Sequence, residues 1–145
     1  MDQSQKNLIT ACYYANIIVA GAIAYTSLFD YDLANIFPWD GTADRGEPIL
    51  MTGCHWFAIA VISVFGLLYS KINFSVVFVH QLIYKSTYLI VSVLPKLISG
   101  DTNDIPFGMS AFFFLYNFLL AFAIPWDYLY TSFALTTGYR KTALA

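Results

Sequence analysis

The chain has 145 residues, of which 59% are hydrophobic, 19% aromatic and 11% charged, with a net charge of −2 and a mean hydropathy of +0.62. A water-facing domain carries about 25% charged residues, so this composition excludes an ordinary soluble protein. The lack of any basic run excludes a nucleic-acid binder.

The length suits one domain. Residues 1–7 form a short polar start that carries Lys6. The first apolar run, 8–27, is longer than the core of a signal peptide, and Ala22 and Ala24 lie inside it, so a permanent spanning helix is expected. Asn16 falls near its centre, and Ala15, Ala20, Gly21 and Ala24 offer small surfaces for close helix contact. The long polar interval that follows holds Asp30, Asp32, Asp40, Asp44 and Glu47 against a single Arg45. Within it, 31–37 is expected to form a short helix lying on the membrane surface. Phe37-Pro38-Trp39 is expected as an interfacial anchor and Asp40-Gly41 as a turn. Asp44 with Glu47 three residues later has the spacing of a capping box for the next helix.

The second span is expected at 48–69, with His55 and Trp56 in its outer part and Ser63 deeper. The four-residue link 70–73 makes the next span its antiparallel neighbour. That third span, 74–94, should end at Pro95, which cannot continue the backbone ladder. A polar loop, 96–107, leads to a fourth span at 108–130, bearing Tyr116 and Asn117 and closing on Pro125-Trp126-Asp127. The two cysteines, Cys12 and Cys54, form no CxxC, which gives neither a dithiol centre nor a zinc ribbon. Both are expected as small buried residues. The fold class is therefore an all-α membrane protein, a bundle of four transmembrane helices with one short interfacial helix in the first loop. Lys6, Lys71, Arg140 and Lys141 lie on one side of such a bundle and Arg45 and Lys96 on the other, which places both termini in the cytoplasm.

The third span carries the chemistry. Gln81, Lys85, Tyr88 and Ser92 follow a four-three-four spacing that puts them on one helix face, with Phe78, Leu82 and Leu89 pointing elsewhere. A lysine at mid-bilayer costs roughly 3 kcal/mol and turns toward protein or trapped water. Counting about 1.5 Å of rise per residue from each span's centre puts Asn16 level with Lys85 and Asn117 a few Å outward. The same count puts His55 about 7 Å outward and His80 about 6 Å toward the cytoplasm. Two readings stay open. In one, the polar stripe is glue between helices, with Gln81, Ser92, Asn16 and Asn117 bonding across them. In the other, Lys85, Gln81, Tyr88, Asn16, Asn117 and His55, with His80 nearby, bound a small cavity for an anionic, lipid-like or quinone-like headgroup. His55 and His80 at different depths argue against a shared haem. No His or Cys pair has the sequence spacing of a metal site. Neither cofactor nor metal is expected, and no catalytic residue stands out.

The stretch His80-Gln81-Leu82-Ile83-Tyr84-Lys85-Ser86, continuing to Leu94-Pro95, and the Ile124-Pro125-Trp126 close, resemble the small DoxX-like bacterial membrane proteins, an uncharacterised four-helix group. The layout of one span, a long loop with an interfacial piece and three further spans is similar. Other four-span families fit less well. The disulfide-generating and vitamin K reductase families need paired cysteines, and the small multidrug transporters need a glutamate where Asn16 stands. The resemblance implies a bacterial inner-membrane protein that accompanies a larger membrane complex or forms a homo-oligomer, and some DoxX-like proteins accompany quinone oxidation. The expected function is that of an accessory or interaction subunit. The alternative is a small carrier or redox-associated protein whose ligand sits around Lys85.

Overall fold

The structure, a computed structural model, describes residues 2–42 and 46–132. Asp44, Arg45, Arg140 and Lys141 lie outside the described residues, as does their part in the charge balance across the bundle.

Helix α1 runs Gln3–Phe29, longer at its start than expected. Asp2 caps it by accepting from the Gln5 amide at 2.7 Å, and Gln3 bonds Asn7 one turn on, so the polar residues before Leu8 join the helix. A π turn at Asn16–Ala20 widens its middle. Helix α2, Tyr31–Ile36, is the expected short helix of the first loop, and Asp30 caps it through the Leu33 amide at 3.2 Å. The chain then turns through Asp40 (φ 51°) and Gly41 (φ 76°), as the Asp-Gly pair foretold.

Helix α3 spans Glu47–Leu68. Its expected capping residue Asp44 lies outside the described residues, and Glu47 is the first helical residue and not the third. Gly46 precedes it without a side-chain bond, and Pro48 sits in the first turn, where no amide donor is needed. Helix α4 spans Asn73–Ser99 and does not stop at Pro95. A π turn at Leu89–Val93 comes just before the proline. The wider turn resets the register, so the ring falls in the first turn of a fresh α segment, where a missing N–H is tolerated. The first four residues of the expected loop 96–107 are therefore helix, ended by Gly100 in the left-handed region (φ 78°). Helix α5, Phe107–Ala123, is shorter than the expected 108–130. Ile124 is extended (ψ 125°), as a residue before proline prefers, and α6, Trp126–Ser132, leaves at 63°.

Three helices, α1, α3 and α4, are long and apolar enough to cross a membrane, or four if α5 and α6 make one bent span. Helix α1 packs along α3 and, through its first half, on α5, while α4 packs on α5. Consecutive in sequence, α3 and α4 approach each other only sparingly. Large rings of Trp56 and Tyr84 stand between them, centroids 6.2 Å apart, and hold the axes away from each other. The close approaches lie elsewhere. A Cβ on Gly53 would meet Leu28 at 2.9 Å, and one on Gly66 would meet the Tyr13 ring at 2.4 Å, whereas Gly21, expected at a helix contact, has nothing within 4 Å. Ala20 and Ala24 are buried as expected. Cys12 is buried, but Cys54 is exposed, on the outer face of α3. The first loop is pinned to the bundle: the Asp40 carboxylate accepts from the Gly108 amide at 3.0 Å, at the positive end of α5.

Candidate functional site

Lys85 is fully buried, as its place on the inner stripe of α4 demanded. Its ammonium donates to Gln81 Oε1 at 3.2 Å, one turn back on the same helix, and to the Tyr84 hydroxyl at 2.5 Å. Both partners are neutral. Aromatic rings complete the enclosure. Nζ lies 4.5 Å from the centroids of Tyr84 and Phe113, 4.6 Å from Trp56, 5.5 Å from Tyr116 and 5.9 Å from Phe112. These rings come from α3, α4 and α5, and they touch one another as well: Trp56 stacks on Phe113 at 5.9 Å, and Tyr84 meets Phe113 edge-on at 5.9 Å. Ring faces carry negative charge density and suit a cation.

The other expected site residues divide into separate groups. Asn16 is buried and donates to Ser63 Oγ at 3.0 Å, while its carbonyl accepts from the Tyr116 hydroxyl at 3.0 Å. The same hydroxyl donates to the carbonyl of Cys12 at 3.1 Å, one turn before the π turn in α1. One polar knot thus joins α1, α3 and α5, and Tyr116 links it to the Lys85 cage. Asn117 is not part of either. It bonds Ser86 at 3.1 Å on the outer side of the α4–α5 contact, because α5 turns the residue after Tyr116 about 100° away. Gln81 is buried as expected, but Phe78, expected to point elsewhere, is buried beside it against Tyr13 at 4.6 Å.

Tyr88 and Ser92 face a different space. A cleft of about 410 Å³ lies between the first loop, the start of α3 and the end of α4, lined by Trp39, Ile49, Tyr88, Ser92, Lys96 and Asp104 among others. Lys96 crosses it to the Asp104 carbonyl at 3.0 Å.

His55 and His80, expected on opposite sides of the midplane, are in contact. Their Nε2 atoms stand 3.4 Å apart and their ring centroids 4.9 Å, with Tyr84 touching both, at 5.0 and 5.6 Å. The depth count took each axis as straight and upright. Such a count holds only for helices whose axes run parallel, and two imidazoles each reach several Å from their backbone. Sequence reasoning also passed over Tyr84, Phe112 and Phe113 as cage walls. The available signal was the clustering of ring residues on α5 opposite a lone buried cation.

No protein-family model, curated protein or solved structure matches this chain.

Proposed function

We propose that the chain is an integral membrane protein of four spans, α5 and α6 forming one bent span, with both termini cytoplasmic. It acts as an accessory or interaction subunit whose interior is closed. The enclosure of Lys85 carries this reading: its ammonium bonds Gln81 and Tyr84 and faces five rings, so the midplane polar group is engaged with its own bundle. Asn16, Ser63 and Tyr116 are likewise bonded to one another. With these polar groups turned inward, what the protein offers to others is its outer face, rich in exposed rings such as Phe29, Phe57, Phe122 and Tyr130. The likeness to small DoxX-like proteins points the same way.

The test is extraction of the native full-length chain into membrane-derived discs, followed by mass measurement and cross-linking. The expected result is a particle containing further protein, retained when Lys85 is changed to Met. A single chain surrounded by lipid alone would overturn the subunit reading. A carrier role is the second reading, and the cleft of about 410 Å³ favours it, since Trp39 and Ile49 give apolar walls beside Ser92 and Lys96. A short-chain quinone that quenches wild-type fluorescence but not that of Trp39→Phe would support it.

A further inference from the structure

We propose that His55 and His80 form half of a transition-metal site, completed by the same two residues of a second copy of this chain. The pair's geometry is the starting point. Two nitrogens bound tetrahedrally to one ion at 2.0–2.1 Å stand about 3.3–3.4 Å apart, and their ring centroids about 5.1 Å apart. The observed values are 3.4 and 4.9 Å. Collinear rings 3.4 Å apart would put the centroids farther from each other, at about 5.6 Å. Both separations match two imidazoles that share one ion, and a borderline ion of the Zn²⁺ type is well suited to imidazole.

Two donors do not close such a site. Among the described residues no third His, Cys, Asp or Glu joins them. His80 is exposed and His55 half-buried, so the open side of the pair faces outward. It lies in the seam that the rings hold open between α3 and α4. By helical spacing it is flanked by exposed Met51, Ala58 and Ile62 on one helix and Val76, Ile83 and Thr87 on the other. A polar pair amid apolar surface must be covered by something that brings donors of its own. A two-fold-related copy brings two more imidazoles and a matching apolar seam in one step.

The purified full-length chain in detergent, stripped with chelator, is titrated with Zn²⁺ and followed by calorimetry, retained metal and light-scattering mass. The expected result is one Zn²⁺ per two chains, a doubled protein mass, and reversal by EDTA. X-ray absorption should show four nitrogen neighbours near 2.0 Å. Either His55→Gln or His80→Gln should weaken binding by at least about 100-fold, beyond what losing an outer-shell partner does, with the circular dichroism melt unchanged. Cys54→Ser should bind as wild type. Absence of Zn²⁺ binding overturns the proposal, as does a sulfur-containing shell or loss of binding in Cys54→Ser. One ion per single chain overturns the shared site.

Discussion

Replacing Gly66 with alanine should destabilise the bundle by about 1–3 kcal/mol. The new methyl carbon would stand 2.4 Å from two ring carbons of Tyr13, so the ring must retreat about 1 Å to reach ordinary contact near 3.4 Å. It has nowhere to go. Tyr13 is fully buried, its ring lies 4.6 Å from that of Phe78, and its hydroxyl donates to the Lys71 carbonyl at 2.8 Å. Overpacking of this kind costs about 1–3 kcal/mol, and losing the Tyr13 hydrogen bond adds about 1 kcal/mol. Alanine's better helix propensity returns up to about 1 kcal/mol, which leaves the net figure above. The assay is thermal unfolding in detergent, read by the reaction of buried Cys12 with a thiol reagent in a Cys54→Ser background. Gly21→Ala is the control, since nothing lies within 4 Å of its added carbon. Equal melting of the Gly66 and Gly21 variants would refute the packing of α1 on α3 described above.

Lys85→Met should fold and stay within about 2 kcal/mol of wild type, because the two lost hydrogen bonds are offset by no longer burying an ammonium. Lys85→Glu, which sets an anion against ring faces, should give no monodisperse protein on size exclusion. Tyr116→Phe removes the hydroxyl that joins α5 to Asn16 and Cys12 and should cost about 1–3 kcal/mol in the same melt. Asp40→Ala should cost about 0.5–2 kcal/mol by uncapping the start of α5, and should make the first loop cleave faster under limited proteolysis.

The apolar runs and the burial of Lys85 were legible because a helix shows its inner face every three or four residues, and a cation amid such a run has to turn inward. Where that periodicity is interrupted, the sequence misled. The stripe Gln81–Lys85–Tyr88–Ser92 assumes an unbroken helix, yet the π turn at Leu89–Val93 inserts a residue and Val93 takes the buried place expected of Ser92. The same turn lets α4 run through Pro95, whereas Pro125, with no such turn before it, breaks the last helix. How two helix axes cross is not written in composition either, so a count along each helix sets His55 and His80 at different depths although their rings touch. Gly53 and Gly66 carry the close contacts in place of Gly21, because contact depends on which helix faces which, a matter of three-dimensional arrangement.

The walls around Lys85 have a consequence for biogenesis. Three of its five rings, Phe112, Phe113 and Tyr116, belong to α5, which the ribosome makes after α4. In a bilayer, α4 would carry an ammonium bonded to Gln81 and Tyr84 but lacking three of its five ring walls until that next hairpin partner emerges. The two segments should therefore enter as a pair, and a nascent chain arrested after Ser99 should remain held at the insertion machinery.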